Sequence, residues 1–224
     1  MKNIKEYRQK ELRWFLFANI ILLLLTSKLN LFDYFLDENN EIWENINEIL
    51  TTTGISVFGY IITFILDSLL SSNLKEKIIY WWSNKPSHNI FSKIQSKNKD
   101  DRFTFEQAAI KYPDIFAQLK NNINVPQTNL WQKIYNKHRQ VTMISVSHED
   151  YLLSRDLCVQ TIILFVVYII ICAIFKQIFV FSWTYILYLL IMYVLTNIST
   201  RNKSKRFVYN VLAYDIHDEE KKNG

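Results

Sequence analysis

The chain has 224 residues, of which 50% are hydrophobic and 21% charged, and it carries a formal net charge of +5. Its length would suit one or two soluble domains, but the apolar residues are concentrated in four blocks, which excludes an ordinary globular protein. The only glycines, Gly54, Gly59 and Gly224, are too few and too far apart for a P-loop or a dinucleotide-binding fingerprint.

Each of the four apolar blocks is close to the roughly 20 residues that a transmembrane α-helix needs. No small-residue cleavage site follows the first block, which is therefore expected to be retained as a span. The sequence predicts an all-α polytopic membrane protein with four transmembrane helices and a small helical cytoplasmic domain. The predicted spans are residues 14–32, 52–72, 157–175 and 178–198, and the predicted regions are 1–72, 73–156, 157–198 and 199–224.

The distribution of lysine and arginine predicts the orientation of these spans. Five of these residues lie in the first thirteen positions and thirteen lie in segment 73–156, whereas the loop 28–50 has one lysine against six acidic residues. Because basic loops stay on the cytoplasmic side, both termini and segment 73–156 are predicted to be cytoplasmic. Residues 33–50 are predicted to face outward.

The second predicted span carries small and polar residues on one face: Thr52, Ser56, Gly59, Thr63 and Asp67. Their spacings of four, three, four and four place them within an arc of about 80° on a helix. Two interpretations remain open. Small residues allow close helix packing, and the same face can line a water-filled path between subunits. Packing is favoured, and the two are compatible if the face packs in a closed state and lines the path in an open one.

The cytoplasmic segment has helical patterns. Thr104 and Gln107 form a capping box before a helix that ends at Pro113, and Asp114 is placed to cap the next short helix. A further helix is predicted to start at Asn129, with Leu130, Ile134 and His138 on one face. Residues 83–102 are polar and basic and are predicted to form a loop or a mobile insert.

The third span is predicted to extend back into the cytoplasmic segment. Ser147 and Asp150 form a second capping box, and no helix breaker follows before Phe175. The preceding residues 141–147 alternate as a strand would, but an isolated strand has no pairing partner. The tail after the fourth span also has a helical pattern, with Phe207, Val211 and Tyr214 on one face. It is predicted to pack on the central segment or to lie along the inner leaflet.

Asp67 is expected to lie near the cytoplasmic end of span two, where a carboxylate costs less than at the midplane. Arg155 lies at the same level, just before span three. An ion pair between Asp67 and Arg155 is therefore favoured over a proton relay at the centre of the membrane.

The sequence contains few candidates for catalytic or metal-binding residues. The His148–Glu149–Asp150 cluster is explained as a helix N-terminus, where acidic groups are favourable, and no metal site or cofactor is predicted. Cys158 and Cys172 lie about 21 Å apart along a helix and cannot bridge within one chain. The sequence contains no nucleophile elbow and no paired-histidine zinc motif. It also lacks the Arg-to-His spacing of one class of ribonucleases. The chain is not predicted to be an enzyme.

The basic central segment suggests three kinds of partner. It holds thirteen basic and eight acidic residues, a charge that suits anionic lipid better than nucleic acid. The expected partners are the lipid bilayer, a second copy of the chain in a homo-oligomer, and a soluble protein or anionic ligand on residues 73–156.

The four spans, the basic insert from Leu74 to Asp156 and the missing catalytic motif resemble the small four-span membrane effectors of prokaryotic antiviral systems, such as those at CRISPR and cyclic-nucleotide defence loci. This resemblance in architecture implies an oligomer in the bacterial inner membrane that perturbs or depolarises it when triggered through its cytoplasmic domain. The alternatives are a non-conducting scaffold or sensor that recruits a soluble partner, and, less favoured, a small transporter.

Overall fold

The computed structural model describes residues 4–26, 57, 61–62, 64–98, 100–121, 126–174 and 181–218. All regular elements in these ranges are helices, and no described residue lies in a β-strand. The predicted all-α class is therefore confirmed for this part of the chain. The α-helices are α1 (Ile4–Thr26), α2 (Ser72–Ile79), α3 (Ile90–Lys97), α4 (Phe105–Lys111), α5 (Pro113–Lys120), α6 (Gln127–His138), α7 (Thr142–Ile174) and α8 (Trp183–Asp218), with a 3-10 turn at Pro86–His88.

Two of the described helices, α7 and α8, are long and apolar enough to cross a membrane. Helix α1 does not meet the same criterion over its described length, because charged residues fill its first part up to Arg13. Most of the second predicted span lies outside the described residues, although residues 64–69 are helical. Two possible spans are thus shown, and four spans remain a prediction.

The chain divides into two compact units. The first, here the apolar unit, comprises Met1–Ile79 and Leu153–Ile198, and the second, the polar unit, comprises Tyr80–Leu152 and Ser199–Gly224. Helices α7 and α8 each contribute residues to both units. Neither helix contains glycine or proline, the residues that most readily interrupt a helix, so both run unbroken through 33 and 36 residues. The polar unit includes the tail that the sequence-based division kept apart as 199–224.

Helix α7 begins five residues earlier than its predicted cap. It starts at Thr142, and Ser147 lies inside it, where the hydroxyl donates a hydrogen bond to the carbonyl of Ile144 at 2.9 Å. Ile144, Ser147 and Tyr151 are all buried, so the segment uses helical and not alternating periodicity to reach the core. The cap predicted at Ser147 is wrong, and residues 142–147 are helical, not the strand that the sequence analysis disfavoured.

Segment 83–102, predicted as a loop, is largely ordered by three apolar residues. Ile90, Phe91 and Ile94 of α3 are at most 1% exposed, Ser92 is half-buried, and Lys93 is exposed. The side-chain oxygen of Gln127 accepts hydrogen bonds from the backbone amides of Phe91 and Ser92, at 2.9 and 3.2 Å. The free backbone amides in the first turn of α3 therefore donate to a glutamine that is distant in the sequence. No local sequence pattern predicts this contact.

The next three helices follow the sequence more closely. The Thr104–Gln107 capping box is present, as predicted. Helix α5 has Pro113 at its first position, so Asp114 lies in the first turn and is not the cap. Helix α6 starts at Gln127, two residues before the predicted Asn129. Its buried face includes Ile134 and His138 as predicted, but Trp131 is buried where Leu130 is only half-buried.

The end of α8 forms the centre of the polar unit. Phe207 is stacked on His148 with ring centroids 4.8 Å apart and meets the edges of Trp131 and Tyr135 at 5.4 Å. Val211 is completely buried in the same core. The helical tail is confirmed, and of its two predicted locations the structure shows packing on the central segment.

A buried carboxylate links α8 to the helices around it. Asp215 accepts hydrogen bonds from the Tyr112 hydroxyl at 2.7 Å and the Lys137 ammonium at 2.9 Å, and His138 Nε2 lies 2.5 Å from it. Burial alone would raise the pKa of Asp215, but the bonds from His138, Tyr112 and Lys137 outweigh it and lower this pKa below the ordinary 3.8. The charged form of Asp215 is thus the one that the fold stabilises.

The low pKa of Asp215 predicts a loss of stability in acid. A carboxyl whose pKa is lower in the folded state contributes stability above its unfolded pKa, and this contribution is lost as the pH falls below 3.8 through the folded value. Asp215→Asn should destabilise the protein at neutral pH by about 1.5–3 kcal/mol and reduce this acid dependence. Thermal unfolding at a series of pH values measures both effects. The exposed Asp101→Asn variant is the control, and an unchanged acid dependence in Asp215→Asn would refute the assignment.

The apolar unit has a separate core where α1, α7 and α8 meet. Leu16, Leu164, Tyr168, Tyr185 and Leu189 are buried in it. The hydroxyl of Tyr168 accepts a hydrogen bond from the backbone amide of Ser182 at 2.6 Å, which ties the start of α8 to α7. Many large apolar side chains on the other faces of α7 and α8 remain exposed, which is the pattern expected of lipid-facing helices. Those on α8 include Leu187, Leu190, Ile191, Val194 and Leu195.

Candidate functional site

Two oppositely charged residues are buried where the apolar stretch of α7 begins. Asp156 has no exposed surface, and Arg155 is 7% exposed. The guanidinium of Arg155 contacts one carboxylate oxygen of Asp156 through Nε at 3.0 Å and through Nη2 at 2.9 Å. Consecutive helix residues normally point about 100° apart, so the long arginine side chain must bend back to reach its neighbour. The contact neutralises a carboxylate that water does not reach.

A third charge, Lys75 of α2, joins this pair to Asp67. The ammonium of Lys75 lies 2.7 Å from Oδ1 of Asp67 and 3.6 Å from Oδ1 of Asp156. Its side chain is 8% exposed, and that of Asp67 is 18% exposed. Arg155, Asp156, Lys75 and Asp67 therefore form one charge network with two positive and two negative members. The network is neutral as a whole, as buried charges need to be.

A helix break explains how Lys75 returns to Asp67. Residues 64–69 are helical, the helix is interrupted at 70–71, and α2 begins at Ser72. The hydroxyl of Ser71 accepts a hydrogen bond from the amide of Leu74 at 3.3 Å, as an N-capping side chain does. This turn allows two residues eight positions apart to make direct contact.

Polar side chains of α8 hold the other end of α2. Asn197 is 3% exposed, and its amide donates to the carbonyl of Ile79 at 3.3 Å and lies 3.9 Å from the sulfur of Cys158. The hydroxyl of Tyr193 donates to the carbonyl of Ile78 at 3.2 Å. Carbonyls at a helix C-terminus lack partners within the helix, and α8 supplies them here. Helix α2, and with it Lys75, is thereby fixed against α8.

Buried polar groups continue along the apolar unit beyond the charges. Gln160 lies one turn after Asp156 on α7 and is 3% exposed, and Asn19 of α1 is 1% exposed. Within the described part of the chain, the side-chain oxygens of Gln160 and Asn19 accept no hydrogen bond. The interior of the apolar unit is thus not uniformly apolar, which is uncommon for a purely structural helix bundle.

The residues predicted as a site are only partly covered by the structure. Thr52, Ser56, Gly59 and Thr63 lie outside the described residues, so the polar face of span two remains a prediction. Asp67 and Arg155 do lie in one network, but each has a different direct partner, Lys75 and Asp156 respectively. The direct ion pair predicted between them is replaced by this four-membered chain of contacts.

Sequence reasoning missed the central member of the network. Lys75 was counted only as one of thirteen basic residues in the cytoplasmic segment. The available signal was the Ser71–Ser72 pair, which can end one helix and cap another just before Lys75. Asp156 directly follows Arg155 in the sequence, but adjacency alone does not identify the two as partners.

The remaining candidates have other roles. The His148 ring contacts the Tyr135 hydroxyl at 3.1 Å and stacks on Phe207, so it belongs to the core of the polar unit. Among the described residues, no group of three or more histidine, cysteine, aspartate or glutamate side chains is arranged to hold a metal ion. Cys158 and Cys172 are both free thiols.

Comparison of the chain with protein-family models, with curated proteins and with solved structures gives no match.

Proposed function

We propose that the chain is an oligomeric effector of the bacterial inner membrane that perturbs or depolarises the membrane when its cytoplasmic domain is triggered, as part of an antiviral defence system. The observation that carries this proposal is the buried network of Asp67, Lys75, Arg155 and Asp156. Charged residues in the apolar part of a membrane protein are costly and typically mark an ion path or a switch.

Lys75 gives the network the character of a switch. Its ammonium makes one short contact with Asp67 at 2.7 Å and one longer contact with Asp156 at 3.6 Å. If Lys75 moved toward Asp156, Asp67 would lose its ion-pair partner. If Lys75 moved away from Asp156, Arg155 would be the only cation in contact with Asp156. In the proposed mechanism, a trigger favours one of these pairings and thereby changes the packing of α2 against α7 and α8.

The continuity of α7 and α8 also supports the proposal. Each helix includes apolar residues of the first unit and core residues of the second, with Phe207 and Asp215 on α8 as examples of the latter. The same two helices thus carry residues of both cores. A scaffold that only recruits a partner has no need of a buried charge network in its membrane part.

Reconstitution into liposomes tests the proposed activity. A fraction of the protein is expected to be in its active state without the trigger, so purified full-length protein at high density should dissipate a potassium diffusion potential across the liposome membrane, and Lys75→Gln should alter the rate of this dissipation. The exposed Lys133→Gln variant, on α6, is the matched control. A potential that decays as slowly as in empty liposomes, with the protein shown to be inserted, would favour the scaffold.

The orientation is tested by thiol labelling. In a variant without Cys158 and Cys172, a membrane-impermeant thiol reagent should label Asn40→Cys in intact cells and leave Ser96→Cys unlabelled until the cells are opened. The reason is the excess of lysine and arginine in the segment that contains Ser96. The reverse labelling pattern would overturn the cytoplasmic location of the polar unit.

Oligomerisation is tested at Gly59. Gly59→Leu adds a bulky side chain to the small face predicted for span two, where overpacking typically costs about 1–3 kcal/mol. The mass of the oligomer in detergent should fall while membrane insertion is retained. Val57→Leu, a change on the same span that adds little volume, is the control. An unchanged mass for Gly59→Leu would show that this face makes no subunit contact.

A further inference from the structure

A small basic pocket lies in the polar unit between α3 and α8. Its volume is 190 Å³, and it is lined by Lys93 and Lys97 from α3 and by Lys205 and Tyr209 from α8. The buried Ile90, 1% exposed, also lines it. The lining of the pocket thus combines a buried apolar residue with basic and aromatic side chains.

The helical register brings the cations together. Lys93 and Lys97 are four residues apart on α3, and Lys205 and Tyr209 are four residues apart on α8, so each pair lies on one face of its helix. Two helix faces therefore present positive charge to the same cavity. Like charges that line one cavity repel each other, and a bound anion would reduce this repulsion.

No acidic side chain in the described part of the chain forms an ion pair with Lys97 or Lys205. Burial and, to a smaller extent, the carboxylate of Asp100 raise the pKa of Tyr209. This carboxylate is held by Arg102 at 2.6 Å. Lys93 makes other contacts, so Lys97 and Lys205 are the two cations assigned to anion binding. With respect to the residues that the structure describes, these two ammonium groups can therefore accept an external anion.

The size of the pocket limits that anion. Sites for drug-sized ligands are typically about 300–1,000 Å³, so 190 Å³ suits a phosphate group better than an entire nucleotide. Lysine binds phosphate as a point charge, with strong charge-assisted hydrogen bonds. We propose that the pocket formed by Lys97, Lys205 and Tyr209 binds the phosphate group of a small phosphomonoester or of an anionic lipid headgroup. If the proposed function is correct, binding of this phosphate group in the pocket is the trigger; this part of the proposal depends on that function.

Protection of lysines from acylation tests the proposal with the full-length protein. In uncharged detergent, glycerol 3-phosphate should slow the acylation of Lys97 and Lys205, measured by mass spectrometry, and leave the exposed Lys133 unaffected. In lipid nanodiscs, phosphatidylglycerol should give the same protection relative to phosphatidylcholine alone. Protection in the first experiment identifies a free phosphate compound, and protection only in the second identifies a headgroup. Equal acylation with and without both probes would overturn the site.

Variants separate binding from function. Lys97→Gln and Lys205→Gln should each weaken the binding of the protecting phosphate by about tenfold, whereas Lys133→Gln should not. All three residues are exposed, so these variants are expected to fold normally. If the double variant Lys97→Gln, Lys205→Gln loses binding but still dissipates the liposome potential in response to the same probe, the pocket is not the trigger site. If the wild type binds the phosphate and never dissipates the potential, the proposed function fails while the binding site stands.

Discussion

Replacing Asp156 with asparagine is expected to lower the free energy of unfolding by about 3–5 kcal/mol, the cost typical of breaking a buried ion pair from one side. Asp156 is fully buried and contacts both Arg155 and Lys75. Its neutralisation leaves the guanidinium of Arg155 without its carboxylate in a site that water does not reach. Thermal unfolding of the purified protein in detergent and its abundance in the membrane should both decrease.

The control for Asp156 is Asp150→Asn, six residues earlier on the same helix and only partly buried. It should change stability little. Removing both members of the pair, Arg155→Met with Asp156→Leu, should cost less than Asp156→Asn alone, because no charge is then left unpaired. A double variant that is less stable than the single one would show that this ion pair does not account for the effect.

The second large effect is expected at Asp67 and Lys75. Asp67→Asn and Lys75→Met should each destabilise the protein, and the double variant should be more stable than the sum of the two changes predicts. Directly contacting charges typically show coupling energies of about 0.5–3 kcal/mol in such a double-mutant cycle. A contact of 2.7 Å between side chains that are 8% and 18% exposed favours the upper part of that range.

A second cycle distinguishes the observed network from the pair predicted by sequence. Asp67→Asn combined with Arg155→Gln should show a smaller coupling than Asp67→Asn combined with Lys75→Met, because Asp67 and Arg155 are connected only through Lys75 and Asp156. Equal or larger coupling between Asp67 and Arg155 would restore the direct pair.

The charge network shows where sequence reasoning is sufficient and where it is not. The level of Asp67 and Arg155 followed from the boundaries of the apolar blocks, and both residues do belong to one network. Their partners did not follow, because the choice among nearby charges depends on a helix break at 70–71 that turns Lys75 back toward Asp67. The apolar blocks predict the level of a charged residue along a span, whereas its ion-pair partner depends on the path of the backbone.

The polar unit gives the same lesson. The Thr104–Gln107 capping box was predictable because its chemistry is local to four residues. Helix α3 was not predictable from the sequence. It has only three buried apolar residues, and the amides of its first turn donate to Gln127, 36 residues away from Phe91. The start of α7 at Thr142 was missed for a similar reason: the burial of Ile144 stabilises a helix that has no cap of its own in the sequence.

The most direct test of the central claim is the membrane potential of bacterial cells that express the full-length chain, read with a potential-sensitive dye. Overexpression should provide enough spontaneously active protein to act without the trigger, so the wild-type chain is expected to depolarise the inner membrane. Lys75→Gln, at matched abundance, should change the extent of depolarisation, while Lys133→Gln should behave as wild type. Cells that hold inserted wild-type protein and keep the same potential as cells with an empty vector would contradict the claim and leave the chain as a membrane scaffold.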